Sequence, residues 1–329
     1  SPKCPMAIYR NTISKMNKQF AIDVKEGLSK TPKSLSSKYF YDEKGSALFS
    51  EIMKLPEYYL TNAEFEIFQN KASEIIELLG LTSEKSFDLI ELGAGDGYKT
   101  IELLKALDHC NFQYQYTPID ISAKALHQIE GNIQRQFPKK KISPKLGDYF
   151  HILHELKASP LPKVVLFLGS NIGNMENVEA NSFLIHLSEN LSKGDKIILG
   201  VDLKKSKDIV LPAYNDSQGV TSAFNLNLLS RINSELEANF NTDLFEHAPM
   251  YDEREGVAKS ALKSIVNQEV EIKGLDMKVA FKKEEQIHTE ISRKYDDSVI
   301  QKICLNTGLN LIGKVTDSQN YFADYIIGK

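Results

Sequence analysis

Along this chain the spacing of apolar positions switches repeatedly between the periods of strands and helices. The clearest switch is F-D-L-I-E-L-G-A-G-D-G-Y-K-T, Phe87 to Thr100. A short apolar run (Phe87, Leu89, Ile90, Leu92) predicts a buried strand, three glycines follow within five residues, and Tyr98, Ile101, Leu103, Leu104 and Leu107 open a helix. Gly93, Gly95 and Gly97 permit positive φ, so the free N–H groups of the helix start can face a polar ligand. Ahead of this unit, Thr61-Asn62-Ala63-Glu64 reads as a capping box for one long amphipathic helix through Phe65, Phe68, Ala72, Ile75, Ile76 and Leu79.

Beyond the glycine turn the alternation continues. The pattern predicts strands at Gln113 to Ile119, Ile142 to Leu146, Lys163 to Leu168 and Lys196 to Val201. Helices are predicted at Ala123 to Arg135, His151 to Leu156 and Val178 to Leu191. Such alternation predicts a doubly wound parallel sheet. After Asp202 it stops. A polar stretch, Pro212-Ala213-Tyr214-Asn215-Asp216, precedes a long helix Val220 to Leu236. Three apparent antiparallel strands follow, Phe245 to Asp252, Ala258 to Ile272 and Asp276 to Phe281. A helix near Asp297 to Thr307 and a hairpin of Leu309 to Val315 with Tyr321 to Ile327 close the chain.

The N-terminal sixty residues have no evident place in a parallel sheet. They hold one helix, with Met16, Phe20, Val24 and Leu28 at helical spacing and a stop at Thr31-Pro32, and a cluster of Tyr39, Phe40, Tyr41, Phe49, Tyr58 and Tyr59. Such a cluster is a small aromatic core or the wall of a pocket for an organic molecule. The expected organisation is a domain of residues 62–202 and 292–329, and a second α+β domain of residues 1–61 and 203–291.

Composition narrows the classes. With 329 residues, 40 basic against 44 acidic side chains and a net charge of −4, the chain has no general attraction for nucleic acid or acidic membranes. Lys139-Lys140-Lys141 reads as a solvated loop. Cys4, Cys110 and Cys304 are widely spaced and lack any zinc pattern, which fits reduced thiols in the cytoplasm. No run of eighteen apolar residues or secretory signal is evident, so neither export nor membrane insertion is expected.

The glycine turn suits nucleotides, dinucleotides or S-adenosylmethionine. A dinucleotide fingerprint needs glycine where Tyr98 stands, which disfavours a nicotinamide-dependent oxidoreductase, and the phosphate-loop spacing is absent. E-L-G-A-G-D-G resembles the first motif of class I methyltransferases, in which Glu91 precedes a turn facing the methionine part of the cofactor. Asp120 ends the next strand, where a carboxylate accepts from ribose hydroxyls. Asp148, in L-G-D-Y-F, occupies the corresponding place one strand on, where an acid can hold the adenine amino group. Each has a plain alternative as a helix cap. In F-L-G-S-N-I-G-N, Asn171 and Asn174 follow a buried strand at the mouth of such a cleft. Glu290 and Ser292, in H-T-E-I-S-R-K-Y, share one face if the segment is extended.

Taken together, P-K-S-L-S-S-K-Y-F-Y-D-E-K-G-S-A-L-F, L-P-E-Y-Y-L-T, F-L-G-S-N-I-G-N, A-Y-N-D-S-Q-G-V-T-S-A-F-N and H-T-E-I-S-R-K-Y resemble the histidine-specific methyltransferase family, in order, from about Ala21 to Lys329. The resemblance implies a class I methyltransferase (Rossmann-like) α/β fold, a doubly wound sheet ending in an antiparallel hairpin, plus a second domain that binds the substrate. It implies that S-adenosylmethionine, without a metal, methylates the α-amine of a free amino acid. In the family's type member, of ergothioneine biosynthesis, that is three methylations of histidine to hercynine.

Carried over by position, Glu91, Gly93, Gly95, Lys99, Asp120 and Asp148 would hold the cofactor. Asn174 and Tyr214 would grip the α-amino and carboxylate groups with Tyr58 nearby, Glu290 and Ser292 would face the imidazole, and Tyr41 and Phe49 would line the pocket. One departure stands out. Where the family carries a methionine in an E-M-x-L context, this chain has Lys259-Ser260-Ala261-Leu262, which leaves tryptophan or tyrosine open as acceptors. Another small amine, or a cofactor-binding protein without catalysis, are the competing readings. A cytoplasmic monomer or weak homo-oligomer is expected, with a small-molecule partner and neither nucleic acid nor membrane.

Overall fold

The computed structural model describes residues 5–93 and 95–329, with side chains in the first helix described from residue 17 onward. Cys4, Ala94 and the Met16 side chain lie outside the described residues. The chain divides into two compact units, Tyr59–Lys205 with Arg293–Lys329, and Ser1–Tyr58 with Ser206–Ser292.

The first unit is built on seven strands: β1 (Phe87–Leu92), β2 (Tyr114–Asp120), β3 (Lys145–Leu146), β4 (Lys163–Phe167), β5 (Lys196–Asp202), β6 (Asn310–Thr316) and β7 (Phe322–Gly328). Their order across the sheet is β6-β7-β5-β4-β1-β2-β3. β1 to β5 pair in parallel, while β7 runs antiparallel to both β5 and β6. This is the class I methyltransferase order, closed by the expected hairpin. Every residue of β1, β4 and β7 is buried, as befits strands covered on both faces. The strand order reverses at β1 and β4, so the carboxyl ends of β1, β2 and β4 form the crevice where such sheets take ligands.

Two expectations for the approach to β1 need correction. The helix begins at Tyr59, so Thr61 lies inside its first turn and forms no capping box; Glu64, the supposed box partner, is turned inward and has no exposed surface. The single long helix is also two, Tyr59–Asn70 and Ala72–Leu79. Lys71 leaves helical geometry between them (φ −129°, ψ 19°), and its ammonium reaches the Thr316 carbonyl at 2.7 Å.

In the second unit a four-stranded sheet has the order Lys33–Ser34, Gln286–Arg293, Val257–Ser264, Phe245–Asp252. A separate hairpin pairs Gln268–Ile272 with Met277–Phe281. The expected single strand from Ala258 to Ile272 is therefore broken. Ser264 is wholly buried and its hydroxyl turns to the Val266 carbonyl at 2.7 Å, while Gln268 Nε2 donates back to Ser264 Oγ at 2.6 Å, ending one strand and starting the next. No glycine or proline marks that break. The helices Pro5–Ser29, Glu43–Ile52 and Val220–Leu236 pack here around one aromatic and aliphatic core that includes Phe20, Phe40, Leu228, Leu262, Phe281 and Ile287.

Candidate active site

At the carboxyl edge of the parallel sheet, Gly93 has φ +83° and its N–H bonds the Ile119 carbonyl at 2.9 Å. A Cβ there would be strained and would lie 3.1 Å from the Tyr149 hydroxyl, so backbone alone fits. Glu91 is 6% exposed and accepts from Thr100 Oγ1 at 2.8 Å and Tyr116 Oη at 2.5 Å. It thereby ties the helix that follows the turn to β2. Burial pushes its carboxyl up to about 7 against those hydrogen bonds and Lys99.

Lys99 forms an ion pair with buried Glu64. Desolvation opposes its charge, but the Glu64 carboxylate, through its charge and its hydrogen bond, holds the ammonium above its ordinary value. Asp120 ends β2 and accepts from the Ser122 N–H at 2.8 Å, while Ser122 itself caps the next helix. Asp148 caps Tyr149–Leu156, its Oδ1 accepting from the Phe150 and His151 N–H groups at 3.0 and 3.2 Å. Tyr149 joins these acids although its sequence position did not single it out. Its phenol is raised by burial first and then by the charges of Asp120, Glu91 and Asp148.

Asn174 is exposed at the end of the 3-10 turn Asn171–Asn174, just beyond β4. That loop is locked to β5: the Ser170 N–H bonds the Gly200 carbonyl at 2.9 Å, and Ser170 Oγ accepts from the Asp202 N–H at 3.0 Å.

The other unit contains a recess, open to solvent, whose lining includes Tyr41, Phe49, Tyr58, Tyr214, Ser260 and Glu290. Edge-on contacts set its aromatic wall, Tyr41 to Phe49 at 5.5 Å and Phe49 to Tyr58 at 6.2 Å between ring centres. Tyr214 is 8% exposed and donates to Ser292 Oγ at 2.8 Å. Tyr41 stays 45% exposed overall, yet its phenol is held well above the ordinary value by desolvation, then by Glu290 and Tyr214. Ser260 lies on Val257–Ser264, is 4% exposed, and its carbonyl accepts from Thr289 Oγ1 at 3.1 Å.

Sequence reasoning missed His247 and Asn225, which also line this recess. Asn225 Nδ2 donates to the Ala261 carbonyl at 3.0 Å and its Oδ1 accepts from Thr289, which fixes the orientation of the amide. The amide N–H facing His247 Nδ1 at 2.8 Å makes that nitrogen an acceptor, so Nε2 carries the hydrogen and donates to the Tyr214 carbonyl at 2.7 Å. Burial lowers the His247 pKa and keeps the ring neutral. Its only signal was one histidine at an inward position of a strand.

The profile of the family described as histidine-specific, SAM-dependent methyltransferases matches residues 20–329. This chain belongs to that family. S-adenosylmethionine is accordingly its methyl donor, and the described residues hold no cluster suited to a metal ion. Among relatives of this methyltransferase, a histidine N-alpha-methyltransferase of Mycobacterium tuberculosis is 37% identical over 91% of the chain and 92% of the relative. One of Mycolicibacterium smegmatis is 37% identical over 83% of each. An L-tryptophan methyltransferase of Psilocybe serbica is 27% identical over 89% of the chain and 88% of the relative. No helix among the described residues is long and apolar enough to cross a membrane.

Proposed function

We propose that this methyltransferase acts on the α-amine of free L-histidine and adds methyl groups in succession up to the trimethylated betaine, hercynine. The observation that carries the reading is the composition of the recess in the second unit. Its wall is aromatic, and among the described residues that line it Glu290 is the one carboxylate and there is no lysine or arginine. A carboxylate set among aromatic rings suits a flat side chain that donates N–H, and imidazole is such a side chain.

In this reading Tyr59–Lys205 with Arg293–Lys329 binds S-adenosylmethionine, through the backbone at Gly93 and Gly95, the Lys99 ammonium and the carboxylates Asp120 and Asp148. The unit of residues 1–58 and 206–292 holds the amino acid, Glu290 and Ser292 on its imidazole and Tyr214 with Tyr58 on its polar end. S-adenosylmethionine brings a methyl group on a sulfonium centre. The amine lone pair forms the N–C bond as the C–S bond breaks, so the enzyme's main task is to hold a neutral amine in line. Tyr214 is a neutral group that orients the nitrogen without favouring its ammonium form as a carboxylate would. Tyr41 is kept in its phenol form by burial and then by Glu290 and Tyr214. The free thiols Cys110 and Cys304 fit a cytoplasmic enzyme.

The test is incubation with S-adenosylmethionine and each of the twenty amino acids, read by mass spectrometry. Gain of up to three methyl groups on histidine is expected; methylation of no amino acid overturns the reading. Ser260 favours a second acceptor class. A small side chain at this buried position leaves room for a larger ring, and trimethylation of tryptophan in preference to histidine would move the assignment there.

A further inference from the structure

The two carboxylates beneath the cofactor edge have too few donors for their burial. Glu64 and Asp324 each have no exposed surface. Glu64 Oε1 is well served, accepting from the Gly169 N–H at 2.9 Å and from Lys99 Nζ. Among the described residues, Glu64 Oε2 and both oxygens of Asp324 have no donor within reach. They meet over Gly200, the residue opposite Asp324 in the β5–β7 register. A Cβ on Gly200 would collide with Glu64 Oε2 and come within 2.9 Å of Asp324 Oδ1. Only glycine leaves space for two carboxyl groups to touch there.

Two buried carboxyl groups in contact beside a single lysine cannot both be ionised. A proton is the one donor that satisfies the pair. Glu64 already receives two hydrogen bonds and remains the carboxylate; Asp324 receives none and carries the proton. Burial first, and then the charge of Glu64, drives the Asp324 carboxyl far above its ordinary range, in agreement with that assignment.

We propose that Glu64 and Asp324 share one buried proton, and that this acid–carboxylate pair positions the Lys99 ammonium for cofactor binding. The proposal rests on the reading of Lys99 as a cofactor ligand. Lys99 is the polar end of the assembly: its Nζ lies 3.5 Å from where a Cβ of Gly169 would stand, in the loop directly after β4. With the proton in place, one ammonium, one carboxylate and one acid sum to zero, and Lys99 can offer its remaining N–H groups outward. Without it the assembly is net negative, draws the ammonium inward and repels an anionic ligand group.

The groups facing the pair are Lys99 from the helix Tyr98–His109 and Glu91 from β1, the latter held by the Thr100 and Tyr116 hydroxyls; Gly200 from β5 brings no charge. Glu91 titrates in its own right, so the informative quantity is the difference between wild type and a variant that keeps Glu91.

Calorimetric titration of S-adenosylmethionine and S-adenosylhomocysteine into wild type, Asp324→Asn, Asp324→Ala and Lys99→Met, from about pH 6 to about pH 9, tests this. Asparagine donates an N–H to Glu64 as the protonated acid does but cannot lose it. Asp324→Asn is expected to bind within about threefold of wild type at neutral pH, and to lack the alkaline weakening that wild type shows. Asp324→Ala and Lys99→Met are each expected to bind about tenfold more weakly or worse. If Asp324→Ala binds as wild type while Lys99→Met is impaired, the positioning role falls and the Lys99 reading stands. If Lys99→Met binds as wild type, that reading falls and the proposal with it. Should alanine prevent folding, an equal alkaline fall in wild type and Asp324→Asn overturns the shared proton.

Discussion

Replacing Glu290 with alanine separates recognition of the side chain from every other part of the reaction. Glu290 lines the aromatic recess, and its charge is felt by the Tyr41 phenol beside it. A hydrogen bond from an imidazole N–H to a carboxylate in such a site contributes about 1.5 to 3 kcal/mol. Its loss lowers kcat/KM for histidine by roughly 10-fold to 150-fold. Glu290 lies in the unit that does not contain the parallel sheet, so affinity for S-adenosylmethionine in the absence of amino acid is expected to stay within about twofold. Glutamine at this position keeps an acceptor without the charge, and an intermediate loss is expected. The assay is initial-rate methylation of histidine at saturating cofactor, with calorimetry for each ligand alone. A loss of less than about threefold, or an equal loss of cofactor affinity, refutes the placement of Glu290 against the substrate.

Other residues make further outcomes measurable. Tyr214→Phe removes the hydroxyl that donates to buried Ser292 at 2.8 Å, and KM for the amino acid should rise by about fivefold, equivalent to about 1 kcal/mol. Ser260→Met fills the buried position opposite Pro249 and should shift the histidine-to-tryptophan preference toward histidine by about tenfold in competition assays. Asp202→Ala leaves Lys294, wholly buried and bonded to Asp202 at 2.8 Å, without that carboxylate, and should cost about 3 to 5 kcal/mol in denaturant unfolding. Burial raises the Glu91 carboxyl from 4.5 to about 7, so the folded state holds its proton more tightly than the unfolded chain. Its stabilising contribution is complete below about pH 4.5 and falls by about 3 kcal/mol as pH rises through 7. Glu91→Gln should therefore flatten that part of the stability profile measured by thermal melts.

The parallel sheet was legible because its strands are buried on both faces. Phe87–Leu92 and Lys163–Phe167 read as short apolar runs between glycine-rich or polar turns, and helical spacing between them admits few alternatives. The long helix Val220–Leu236 and the strand Phe245–Asp252 match their predicted ends for the same reason. The break between Val257–Ser264 and Gln268–Ile272 was hidden because a buried serine makes it, through contacts with Val266 and Gln268, in a segment whose residue types all suit a strand. The break at Lys71 was hidden likewise: the tertiary contact seen there, from the Lys71 ammonium to the Thr316 carbonyl, reaches a strand far along the chain.

Glu64 shows most clearly why the site was only partly readable. Thr61-Asn62-Ala63-Glu64 satisfies the local rule for a helix start, and a threonine hydroxyl paired with a glutamate three residues on is a sound local arrangement. The rule lost to a tertiary demand. Lys99, Gly169 and Asp324 come from a helix, a loop and a strand dispersed over more than two hundred positions, and together they offer Glu64 a cation, an N–H and a carboxyl group that no first-turn position supplies. With the carboxylate turned inward, the helix begins at Tyr59, three residues before the Asn62 start that a Thr61 cap implies, and without the box. The misplaced helix start and the unforeseen carboxyl pair are therefore one event. An acid that fails its local role in a buried place has a partner elsewhere, and here the partner is a second acid that only a shared proton can reconcile.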